Sequence, residues 1–129
     1  MSARSGLLVL VHGEQRPNLE AIARKLQEDL DVEVRFMTSS HLLVLDGDRP
    51  IDVHYQDAPF ELEEAQEIAE MYAVERPEKQ DIATCNGGFE VVYTPDPEMM
   101  VFNTWLRTTE IIAEFTDGKI FGPAGGTFS

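Results

Sequence analysis

The chain has 129 residues, 43% of them apolar, and a formal net charge of −14, a length that suits one domain able to take roughly two-thirds of its surface out of water. The negative balance works against nucleic acid and anionic membrane, which need Lys and Arg to neutralise phosphate, and suits a basic partner; the plainer alternative is that it only keeps the chain soluble. No apolar run approaches the ~20 residues of a membrane span, no signal-peptide core follows Met1 to Gly6, and the lone Cys85 can form no internal disulfide, so the expectation is a single cytoplasmic domain over residues 1–129 without zinc-ligand spacing.

Leu7 to Val11 is an unbroken apolar run ended by His12-Gly13, the pattern of a strand buried on both faces, and it is taken as the central strand that starts a β-α-β unit. Glu14-Gln15-Arg16 reads as a loop. Pro17-Asn18 then opens a helix, with proline suited to the first turn and asparagine to the cap. Leu19, Ile22, Ala23, Leu26 and Leu30 form its apolar stripe, and Glu20 precedes Arg24 by one helical turn on the other face.

Val32 to Phe36 alternates, with Val32, Val34 and Phe36 inward and Glu33 and Arg35 outward. Thr38-Ser39-Ser40 is a turn, His41 to Leu45 a dense apolar strand, Asp46 to Pro50 a turn-rich loop, and Ile51 to Tyr55 a further alternating strand. Short loops between three strands imply an antiparallel meander.

Asp57-Ala58-Pro59 opens a second helix that runs to about Glu75 and stops at Arg76-Pro77. Its apolar stripe is Leu62, Ala65, Ile68, Ala69 and Tyr72, opposite Glu63, Gln66, Glu67 and Glu70. Residues 46–81 hold twelve acids against three bases, so this segment carries most of the charge excess. Like charges one turn apart, as in Glu63 and Glu67, cost a few tenths of a kcal/mol, which hints at use beside the simpler reading of a solvated face.

Asn86-Gly87-Gly88 lies between Ile82-Ala83-Thr84-Cys85 and Phe89 to Tyr93, a hairpin signal. Asp96-Pro97 caps and starts a third helix that ends at Gly118 and carries Phe102, Trp105, Leu106, Ile112, Ala113 and Phe115. Lys119 to Phe121 is a short last strand, and residues 122–129 form an irregular, glycine-rich tail. The expected order is β-α-β-β-β-α-β-β-α-β, an α+β fold with a mixed sheet and helices mostly on one face. Glu33, Arg35, Asp52, His54 and Glu90 then share the opposite face, and an open face around Val92 with the free edge of the last strand leaves room for a homodimer.

Chemistry-bearing patterns are sparse. Val11-His12-Gly13 resembles an oxyanion-hole strand end, but no G-x-S-x-G elbow accompanies it, so His12 is expected to bond the neighbouring loop. Asn86-Gly87-Gly88 and Gly125-Gly126 carry no phosphate-loop spacing. Asp46-Gly47-Asp48 starts like a calcium loop without the residues that complete one. Cys85 would act as a nucleophile only beside a histidine, and otherwise reads as a core residue. Asp52 and His54, with Glu90 or Glu33 on a neighbouring strand, could hold a ligand or metal, and the same ligand-binding alternative includes Cys85; side chains of this kind more often face water. No cofactor is implied, and with no recognisable nucleophile, base or phosphate loop the sequence leans away from an enzyme.

In size, in charge, and in the run from Asp81 to Phe121 (hairpin, Asp-Pro helix start, Gly-Lys-Ile-Phe strand), the chain resembles the immunity proteins that neutralise bacterial toxins. The resemblance implies a non-catalytic, one-to-one inhibitor of a basic toxin or effector such as a nuclease, steered by charge. The acids expected to meet that partner are Glu63, Glu67, Glu70, Asp46, Asp48, Asp52 and Asp57. An adaptor or secretion chaperone is a blander relative of this reading.

Overall fold

A computed structural model describes residues 5–12, 17–94, 101–122 and 126–128. The elements in chain order are β1 (Ser5–Val11), α1 (Leu19–Leu30), β2 (Glu33–Thr38), β3 (His41–Asp46), β4 (Arg49–Gln56), α2 (Pro59–Tyr72), α3 (Lys79–Ala83), β5 (Gly87–Tyr93), α4 (Phe102–Thr116), β6 (Lys119–Gly122) and β7 (Thr127–Phe128). The strands form one sheet in the order β2-β3-β4-β5-β1-β6-β7. β1 is interior as expected, between β5 and β6.

Every described strand pairing is antiparallel, which corrects the expected mixed sheet. The β-α-β reading fails because α1 does not return the chain beside β1. It carries it to the far edge, and the meander β2-β3-β4 then works back inward until β5 closes the gap. Parallel pairing needs a crossover that lands next door, and here the neighbouring place is taken by β5.

The expected strand from Ile82 to Cys85 is instead the short helix α3 and its exit turn. Ile82 N–H donates to Glu78 O and Cys85 N–H to Ile82 O. Ile82 and Cys85, three apart, are each 1% exposed and face one core; four apolar residues are too few for periodicity to separate helix from strand. Asn86-Gly87 is therefore no hairpin. It takes the chain from α3 into β5, where a Cβ at Gly87 would lie 2.9 Å from the Tyr55 hydroxyl.

Helices cover both faces, not mostly one. On the first face α1 and α4 pack Ile22, Leu26, Trp105, Ile111 and Ile112 against Val9, Val11, Leu42, Val44, Ile51, Val53, Phe89 and Val91. Asn18 caps α1 by accepting from Ala21 N–H at 3.0 Å, and the Trp105 indole donates to Val91 O at 2.9 Å, fastening α4 to β5. On the second face α2 and α3 set Ala65, Ile68, Ala69, Ile82 and Cys85 against Leu10 and Phe121. Leu62, Tyr72, Phe36 and Phe115, expected to be buried, are exposed, because α2 turns a narrower face inward and β2 is an edge strand with a bulge between Phe36 and Thr38.

Within the stretch expected to be irregular, Thr127–Phe128 forms a strand. β7 lies along the outer edge of β6, so the free edge expected there is covered. Phe128 packs on Phe121 with ring centroids 5.0 Å apart, under the Arg76 guanidinium. The loop Glu14-Gln15-Arg16, the cap and helix start at Asp96-Pro97, and Gly125 lie outside the described residues. No described helix is long and apolar enough to cross a membrane.

Candidate metal centre

The second face is covered by α2 and α3 on its β1 and β6 side, while its other half presents His41, Asp52, His54 and Glu90 together with Leu43 and Val92. The β3–β4 hairpin closes through the two-residue turn Gly47-Asp48, with Gly47 at φ +67° and Asp46 opposite Arg49. From that turn the register places His41 opposite His54, His54 opposite Glu90, Glu90 opposite Leu8, and Leu8 opposite Phe121. Directly opposed residues share a face, so one row crosses the sheet and changes from polar to apolar between Glu90 and Leu8.

His41 and His54 stack with ring centroids 4.0 Å apart and planes inclined by 21°. Asp52, two residues before His54 on the same strand face, has Oδ1 2.8 Å from His41 Nε2. A carboxylate only accepts, so the imidazole N–H donates. The side chains of His41 and Asp52 are 22% and 18% exposed. One donor atom from each of His41, Asp52 and His54 lies within 4.8 Å of the others. Ligands at about 2.0–2.2 Å from one ion lie at most about 4.4 Å apart, so the spacing of the three donors is close to what one common cation would require.

Beside this trio a cleft of about 100 Å³ runs between β4, β5 and the start of α2, lined by His54, Gln56, Phe60, Glu61, Glu64, Gly88 and Glu90 with Leu8, Leu10 and Phe89 behind. Glu61 reaches over the bare backbone of Gly88, its Oε2 3.5 Å from where a Cβ would stand. Burial first, then the negative charges of Glu64, Glu90 and Asp57, push its carboxyl up to about 7.

The structure sorts the residues singled out in the sequence. Asp52 and His54 come together, with Glu90 one strand away beside His54. Glu33 sits on the edge strand β2 in an exposed pair with Arg35, N to O 2.8 Å, outside the trio. Cys85 is elsewhere, 1% exposed beneath α3 among Leu10, Ile68 and Ile82. It does have a histidine nearby, with His12 Nε2 at 3.8 Å. That nitrogen, however, donates to the Asp81 carbonyl at 2.9 Å, so its lone pair is not available to the thiol. Burial, then the charge of Asp81, pushes the thiol to about 12 against the opposing Lys119. A nucleophile needs the opposite environment, and Cys85 is a core thiol. His12 also lies 3.0 Å from Thr84 Oγ1, so it ties the end of β1 to α3 and not to a loop.

Of the acids assigned to a protein partner, Glu63, Glu67, Glu70, Asp48 and Asp57 are exposed. Asp46 accepts from Thr104 Oγ1 at 2.6 Å and Asp52 belongs to the trio, so those two are engaged within the fold. Sequence reasoning passed over His41 and Glu61. His41 was readable: a two-residue turn at Gly47-Asp48 pairs it with His54 by counting back along the hairpin. Glu61 carried no local signal, since its setting depends on where α2 lands. Comparison with protein-family models and with characterised proteins finds no match for this sequence.

Proposed function

We propose that the protein is a small divalent-metal-binding domain whose ion is held by His41, Asp52 and His54 on the β3–β4 hairpin. The convergence of these three donors within 4.8 Å carries the reading. Two imidazoles and one carboxylate are a borderline set, suited to Zn²⁺, Co²⁺ or Fe²⁺ over the all-oxygen sites of Mg²⁺ and Ca²⁺. The setting is cytoplasmic, in keeping with a single cysteine that stays a thiol.

Calorimetric titration of the metal-free chain with Zn²⁺ and Co²⁺ tests it. One ion per chain is expected, with affinity falling about tenfold or more in His41→Ala, Asp52→Ala and His54→Ala. Unchanged binding in all three variants, or no binding at millimolar metal, would sink the proposal.

A second reading, the immunity-type inhibitor, is supported by α2 alone: its outward side exposes Glu63, Glu67 and Glu70 beside Phe60 and Met71, charge for steering and apolar groups for anchoring a basic partner.

A further inference from the structure

We infer that the outer edge of β2 joins the same edge of a second copy of this chain, in an antiparallel pairing centred on Val34. The inference is independent of the metal reading.

β2 is the outermost strand of the sheet, and among the described residues its backbone pairs only with β3. An unpaired edge is a template for another strand unless proline, lysine, a bulge or a covering element blunts it. The strand Glu33–Thr38 holds neither proline nor lysine, and Phe36 and Met37 stand 48% and 54% exposed on it. Regular pairing is limited at one end by the left-handed cap at Asp31, φ 52°, and at the other by the bulge between Phe36 and Thr38. The usable stretch runs from Val32 to Phe36, and its midpoint is Val34.

A second copy fits this edge because the stretch complements itself. A two-fold axis normal to the sheet keeps every residue on its own face, so the axis must fall on a residue. With the axis at Val34, Glu33 stands opposite the partner's Arg35 and Arg35 opposite the partner's Glu33, while Val32 and Phe36 exchange partners in the same way. An axis at Glu33 or at Arg35 would set that charge against its own copy. An axis at Val32 would oppose Asp31 to the partner's Glu33, and one at Phe36 would run into the bulge. The central register alone sets opposite charges face to face along the regular stretch.

Both faces of the join agree with the faces of the sheet. Val34 lies opposite Val44 and Phe36 opposite Leu42, each 0% exposed, so Val32, Val34 and Phe36 belong to the face that carries the main core, and pairing extends that core past the edge and takes Phe36 out of water. Glu33 and Arg35 lie on the other face, their side chains 56% and 62% exposed and paired with each other at 2.8 Å, so they change partners without entering an apolar setting. Exposed ion pairs add little affinity, and the short stretch is small beside the roughly 20–30 residues a side of a standard interface. The charges set the register, and the dimer is weak and concentration-dependent.

Analytical ultracentrifugation of the full chain, with a chelator present so that no metal bridges two copies, tests this up to about 1 mM protein. A reversible equilibrium between monomer and dimer is expected. Glu33→Arg and Arg35→Glu should each weaken it about tenfold or more, because each sets like charges opposite one another at both pairs, with circular dichroism unchanged since both side chains are exposed. An equimolar mixture of the two variants should recover association, each supplying the charges the other lacks, and so should the variant that carries both changes. A monomer at every concentration overturns the inference and leaves the edge to a strand of another protein. Dimers indifferent to both reversals overturn it in favour of another face, and a mixture that fails to recover overturns the register.

Discussion

Partial burial and three negative neighbours push the Glu61 carboxyl from its ordinary value of 4.5 to about 7, so the folded protein keeps a proton that the unfolded chain gives up earlier. Below about 4.5 both states hold the proton and the site costs nothing. As pH rises through about 7 the folded state must ionise beside Glu64, Glu90 and Asp57, and stability falls. Glu61→Gln removes that dependence. Thermal melts of the metal-free chain should show little difference between variant and wild type near pH 4 and a higher melting temperature for the variant at pH 8. The sequence showed part of this residue-level picture. Alternation in Ile51 to Tyr55 put Asp52 and His54 on the polar face correctly, and Glu90 followed from Phe89 to Tyr93. His41 went unnoticed because it opens an apolar run, and Glu61 because a helix residue's neighbours across a cleft are set by tertiary packing alone.

Among the elements, the helices with long stripes were legible and the short segments were not. α1 and α4 carry enough turns for a 3.6-residue period to declare itself, whereas Ile82 to Cys85 is shorter than one period of ambiguity and went to the wrong class. The exit from α4 shows how a single residue fixes an element's place. Asp117, at φ 54°, takes the left-handed cap position, and Gly118 follows as the close-approach residue: a Cβ there would stand 2.6 Å from Val9 Cγ1 and 3.0 Å from Leu10 O. The glycine was read as the helix stop, and its second role, letting the chain pass against β1, is a packing fact. Gly118→Ala should destabilise by about 1–3 kcal/mol through overpacking, seen as a lower denaturant midpoint with an unchanged slope. A neutral result would mean that β1 and α4 can separate without cost.

For the whole molecule, the α+β class and the interior position of β1 followed from the sequence, but strand direction did not, because helical and alternating stripes record which faces are buried and say nothing of which strand lies next to which. The charge of −14 belongs to this scale too. If α2 meets a basic partner, changing Glu63, Glu67 and Glu70 to Lys should slow association with a candidate basic toxin strongly at low salt and flatten its salt dependence. The fold should hold, since all three side chains are exposed and the change relieves repulsion along the helix. Equal association rates for wild type and variant at low salt would take α2 out of the binding story.

His41, Asp52 and His54 all come from the β3–β4 hairpin, with its two-residue turn as the only connection. Bringing them together therefore costs little loop-closure entropy compared with a site gathered from distant parts of the chain. A cation able to bind all three would hold the hairpin shut while the rest of the sheet is still unformed, so the ion would act during folding as a nucleating clamp on β3 and β4, the second of which is the strand that pairs with β5. The same locality makes the site portable: a hairpin of this register, placed on another antiparallel scaffold, would bring its donors with it.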